Sequence, residues 1–121
     1  MGIDKTQSAI EILKYFYDNH SRRDGITVSE LRKNVMPRTK GRERDVWLRS
    51  KLGLVLVKDV VDIFLTAEFI KRDELIVIKD KKFNSYMITE KGVEVTNELK
   101  KTKYLKELFA SILYREVMKP K

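Results

Sequence analysis

The 121-residue sequence has no cysteine and a single histidine, His20. Disulfides and thiolate-held metals are therefore excluded, and one imidazole leaves almost nothing for a metal cluster, so neither a metal nor a cofactor is expected. Proline is confined to Pro37 and Pro120, and no repeat or low-complexity linker interrupts the chain. Long apolar runs are missing as well. The run Leu54–Val57 ends at Lys58 and Asp59, far short of the ~18–20 residues a membrane span requires. The opening MGIDKTQSAI carries an acid at Asp4 with no apolar stretch after it, so it does not read as a secretory signal, and a cytoplasmic, membrane-free protein is expected. There is no glycine-rich phosphate loop, no Gly-x-Ser-x-Gly elbow and no set of carboxylates at metal spacing. His20 falls in a turn and reads as a surface residue or helix cap rather than a base. An enzyme is not expected.

What is abundant is positive charge. Twenty-six lysines and arginines face 18 acids, for a net charge of +8, and such a chain attracts polyanions, with nucleic acid the commonest partner for a basic domain of this kind. The 36% charged residues also suit the two-signed surface of a heat-adapted protein, so the placement of the charge has to decide. Hydrophobic residues at 42% suffice for one modest core, and the length suits one domain.

Periodicity gives the elements. Ala9, Ile12, Leu13 and Phe16 follow the spacing of one buried helical face within 5–19. After the turn 19–25, Ile26-Thr27-Val28 reads as a short strand, with Ser29 as N-cap candidate for a helix over Glu30–Met36. Pro37 disfavours helical geometry at Met36 and ends it. A further helix is predicted over 55–68 from Val57, Val60, Val61 and Phe64, with Lys58, Asp59, Asp62 and Thr66 facing solvent. Its continuity with 45–53 across Gly53 is open. A hairpin follows, with Leu75 and Val77 alternating in step with partners Tyr86 and Ile88 around a turn at 79–85. Thr89 then caps a last helix running to about Met118.

The stretch Ser85-Tyr86-Met87-Ile88-Thr89-Glu90-Lys91-Gly92 resembles the Y-x-L-T-x-K-G signature that closes the wing in many winged-helix regulators. The chain is similar in this to MarR-like and PadR-like proteins and to small archaeal DNA-binding proteins with a long C-terminal helix. Phe64–Ile70 resembles the end of their third helix, and with Ile26–Leu31 the likeness covers roughly residues 8–98. It implies an α+β, mostly α fold: a winged helix-turn-helix at 1–98, with a β-hairpin wing, and a C-terminal helical extension at 99–121. Tyr86 and Ile88 would then point inward, and Gly92 would permit close packing. One departure stands out: the family joins its second and third helices by a short turn, whereas a longer stretch separates Met36 from Leu56.

That stretch concentrates the charge. Arg38, Lys40, Arg42, Arg44, Arg49 and Lys51 stand against Glu43 and Asp45, and arginine suits bidentate contacts to phosphate or guanine. Trp47 reads as core or, less simply, as a base-stacking residue. The hairpin turn adds Lys79, Lys81 and Lys82, with Lys71 and Arg72 at its base. Lysines there would bind a phosphate backbone without regard to sequence, or simply guard the strand edge. The two acids on the 55–68 face would be repelled by DNA, so base readout is expected from 42–51. In the last helix Leu105, Leu108 and Ile112 form one apolar stripe and Phe109 and Leu113 belong to another, which suggests a homodimer interface; packing of the first and last helices on each other would use the same stripes.

The leading expectation is a homodimeric transcriptional regulator that binds double-stranded DNA through 38–51 and 79–85. The alternatives are an architectural DNA-binding protein without sequence preference and a winged-helix adaptor for a protein partner.

Overall fold

The computed structural model describes residues 5–35 and 51–117. Helix α1, Lys5–Asp18, turns Ala9, Ile12, Leu13 and Phe16 inward as their spacing requires, and Ile10 joins them. The helix is closed at its C-terminus by side chains: Asn19 Nδ2 donates to the Tyr15 carbonyl at 2.8 Å, and His20 Nδ1 lies 2.6 Å from that of Tyr17. These contacts reinforce main-chain bonds to the same carbonyls, from Asn19 N–H to Tyr15 O and from His20 N–H to Tyr17 O, both at 3.2 Å.

Strand β1, Ile26–Thr27, leads directly into α2, Val28–Asn34. The N-cap is Thr27, not Ser29. Thr27 holds an extended backbone (φ −87°, ψ 160°) and its hydroxyl accepts from the Glu30 N–H at 3.1 Å, while Ser29 lies in the first turn. The helix therefore starts two residues before the sequence suggests. It ends at Val35, again extended, whose N–H reaches Leu31 O at 2.8 Å.

Helix α3 spans Lys51–Thr66 and passes through Gly53 without a break. Leu56, Val57, Val60, Val61 and Phe64 are buried, whereas Lys58, Asp59, Asp62 and Thr66 are exposed. It ends in a turn with Glu68 in the left-handed region (φ 63°), and Phe69 N–H returns to Phe64 O at 2.9 Å.

Three short antiparallel strands form one sheet in the order β1-β5-β2, with β2 at Ile70–Arg72 and β5 at Ser85–Ile88. The register sets Ile26 and Thr27 opposite Tyr86 and Ser85, and Ile70 and Arg72 opposite Ile88 and Tyr86. Beyond it, β3 (Ile76–Ile78) and β4 (Lys81–Phe83) form a separate two-stranded ribbon. The expected pairing of Leu75 and Val77 with Tyr86 and Ile88 is thus incorrect. Asp73 N–H bonds to Ser85 O at 2.9 Å and Ile76 pairs with Phe83, so Glu74 and Leu75 oppose Asn84 alone. This is a β-bulge, and it shifts the ribbon's register by one residue. Ser85 Oγ donates to Glu74 O at 2.5 Å within the bulge.

The long final helix of the sequence reading is two helices, α4 at Glu90–Lys100 and α5 at Leu105–Val117. The polar run Lys100-Lys101-Thr102-Lys103 offers no apolar residue to continue the buried stripe, and Thr102 Oγ1 accepts from Tyr104 N–H at 3.1 Å to start α5. Lys91, near the start of α4, pairs with Glu116, near the end of α5, at 2.6 Å, so the two helices run antiparallel.

One core cluster joins α1, α2, α3, the three-stranded sheet, α4 and α5. Phe64 lies at its centre, 5.8 Å from the Phe69 ring and edge-on to Phe109 at 6.2 Å. The architecture is α+β and mostly helical. Among the described residues no helix is long and apolar enough to cross a membrane.

Candidate nucleic-acid interface

The ribbon's tip is a two-residue loop, Lys79-Asp80, between the paired residues Ile78 and Lys81. Both loop residues have positive φ, 50° and 66°, the signature of a type I′ hairpin turn. Lys79, Lys81 and Lys82 are exposed, and among the described residues none of them is in an ion pair. Lys71 and Arg72 on β2 are exposed at the ribbon's base. The geometry gathers these five cations along one projecting feature, with Asp73, Glu74 and Asp80 as its acids.

The ribbon is also more apolar than a solvated hairpin requires. Leu75 is 55% and Val77 62% exposed, and Ile78 and Phe83 are exposed as well. An isolated two-stranded hairpin is marginally stable in water, so this surface raises the question of what it meets.

Between the ribbon and α3 runs a cleft of about 310 Å³. Lys58 and Asp62 project from α3, Lys82 and Asn84 from the ribbon side, and Thr27 from the start of α2. Two cations and an amide against one carboxylate can take a phosphate group, with Asp62 setting a limit on how far it enters. Lys58 and Asn84 carried no signal in the sequence that marked them as site residues, because their approach to Lys82 depends on how the sheet sets the ribbon beside α3.

Of the remaining predicted contacts, Arg38, Lys40, Arg42, Arg44 and Arg49, together with Trp47, lie outside the described residues. Lys51 opens α3. For the predicted dimer face, Phe109 and Ile112 are corrected. Both are buried in the chain's own core, at 0% and 2% exposure, as α5 folds back on α1. Leu105, Leu108 and Leu113 are only partly buried against that core.

Behind the cleft, Glu30 ties α2 to α1 and to the preceding turn. Arg22 grips it through Nη1 at 2.5 Å and Nη2 at 2.9 Å, and Tyr15 Oη donates at 2.7 Å. The guanidinium chiefly, helped by the Tyr15 hydroxyl and opposed by partial burial, holds the Glu30 carboxyl below its ordinary range. Partial burial and then the neighbouring carboxylate push the Tyr15 phenol up. Among the described residues no group of three or more acids or histidines is placed to hold a metal ion.

No family model, curated protein or solved structure matches the chain.

Proposed function

We propose that this chain is a winged-helix protein that binds duplex DNA as a homodimer and regulates transcription. The observation that carries the reading is the β1-β5-β2 sheet with a lysine-tipped ribbon projecting from it beside α3. In a winged helix the chain runs helix, strand, helix, helix, strand, wing, strand, and the described elements follow that order. Lys79, Lys81 and Lys82 then lie along a phosphate backbone, giving affinity that depends strongly on salt. Lys58 and Lys82 share a phosphate at the cleft, and the arginines at 42, 44 and 49 supply base contacts.

The acids Asp59 and Asp62 keep the middle of α3 out of close contact with DNA. Lysines rather than arginines at the tip favour, as a second reading, an architectural protein that binds without sequence preference. Fluorescence anisotropy with duplex DNA tests the first claim: binding at low salt, weakened by Arg42→Ala with Arg44→Ala, is expected, and no binding would overturn it. Selection from a random duplex pool then separates the two readings, since a regulator enriches one motif and an architectural protein enriches none.

A further inference from the structure

On the flank of α3 away from the ribbon, a recess of about 490 Å³ opens between α3 and α5, with α1 beneath it. Leu56, Val60 and Ile63 line it from α3, and Phe109 and Leu113 line it from α5. Phe109 is fully buried at the bottom, whereas Ile63 is 38% exposed at the mouth. Volume and walls are those of a small-molecule site, which typically spans ~300–1,000 Å³, is mainly apolar and often lies between packed helices.

The polar groups of the recess are few, and its charges are of one sign. Asp59 and Asp62 stand on its α3 lip, and Thr6 is the remaining polar residue of the lining. Both carboxylates are exposed, and among the described residues neither is in an ion pair. In a chain of net charge +8, no described lysine or arginine lines this recess. An anion is therefore repelled from it. A bare metal ion would gain nothing from the apolar walls, and a neutral apolar molecule would leave the two carboxylates unused.

We propose that the recess binds a small organic monocation, with its apolar body between Ile63 and Leu113 and its ammonium head at Asp59 and Asp62. The walls supply most of the affinity, because exposed ion pairs contribute little, and the acids select the sign of the charge. The same ligand acts on the phosphate cleft. Lys58 and Val61 line that cleft, Asp59 and Ile63 line the recess, and Asp62 lines both. Asp62 lies one helical turn from Lys58 and opposes a phosphate held there. A cation in the recess offsets that carboxylate, so phosphate binding at Lys58 and Lys82 tightens. By linkage, a bound phosphate tightens the cation equally. This coupling rests on the phosphate reading of the cleft, whereas the recess does not.

Two probes with one apolar body and opposite heads test this on the full chain: 4-phenylbutylammonium and 4-phenylbutyrate. In titration calorimetry the ammonium should bind at least about tenfold more tightly than the carboxylate. Asp59→Asn should bring the two within about threefold of each other, with unchanged circular dichroism. At fixed ionic strength, saturating ammonium should tighten duplex-DNA binding about fivefold in the wild type and leave Asp62→Asn unaffected. Absence of binding, equal binding of the two probes, or full selectivity in Asp59→Asn overturns the site. Selective binding that leaves duplex affinity unchanged or weaker overturns the coupling through Asp62. A chain that selects the ammonium but binds no duplex DNA supports the recess while removing the DNA reading. Duplex binding without selection overturns the recess and leaves the DNA reading standing.

Discussion

Gly92 lies so close to the main-chain carbonyl of Phe69 that a Cβ would overlap its oxygen and crowd Ile88. Thr89 completes the junction. Its N–H donates to the same carbonyl at 2.9 Å, its hydroxyl donates to Glu68 O at 2.5 Å, and its oxygen accepts the Gly92 N–H at 3.1 Å. The first turn of α4 is thus fastened to the turn that ends α3, which fixes β5 and the ribbon relative to α3.

Gly92→Ala is therefore expected to destabilise the fold. The obstacle is backbone and cannot swing aside, so a loss of about 1–3 kcal/mol follows from overpacking, despite alanine's better helix propensity. Urea denaturation reads this as a lower midpoint; an unchanged midpoint would show that the junction has slack.

The loop Lys79-Asp80 places two ordinary residues in a conformation that favours glycine. Asp80→Gly relieves the strain at the second position, where Asn-Gly and Asp-Gly turns carry their glycine. Stability should rise by about 0.5–1 kcal/mol, visible as a higher thermal midpoint. A fall would mean that Asp80 makes a local contact worth more than the strain.

Glu30 makes part of the stability pH-dependent. Its folded-state carboxyl is held below the ordinary range, first by Arg22 and then by Tyr15. The stabilisation is therefore present above the unfolded value of ~4.3 and is lost as pH falls through the lower folded value. Glu30→Gln should cost about 1 kcal/mol at neutral pH, at the low end for a charged hydrogen bond because Arg22 is partly solvated. The gap between variant and wild type should close in acid, as followed by denaturation at several pH values. A gap that stays constant down to low pH would contradict the assignment.

What the sequence made legible followed from local rules. The stripe Ala9, Ile12, Leu13, Phe16 and the exposed set Lys58, Asp59, Asp62, Thr66 lie where helical spacing puts them, since one turn decides both. The Thr89 cap was legible for the same reason, whereas close packing at Gly92 followed only from the resemblance to the wing signature, because its neighbour Phe69 is distant in sequence. The strand register was not. Alternation identifies a face, but the bulge at Glu74–Leu75 changes the partner, and it is set by Ser85 bonding to Glu74 O across the hairpin. Nor was the break between α4 and α5 legible, because neither proline nor glycine marks it. The pairing of Lys91 with Glu116 and the burial of Phe109 and Ile112 accompany the fold-back, and both are tertiary. The cleft residues Lys58 and Asn84 come to line one cleft with Lys82 only because the sheet sets the ribbon beside α3.

The central claim is that the projecting ribbon binds a phosphate backbone. The measurement that tests it most directly is duplex-DNA affinity against salt for the wild type and for Lys79→Ala, Lys81→Ala and Lys82→Ala combined. Each phosphate contact contributes ~0.9 to the slope of log K against log salt. The combined variant should therefore bind more weakly at low salt, with a slope shallower by about 2–3 and an unchanged fold by circular dichroism. Equal affinity and equal slope for the two proteins would contradict the account.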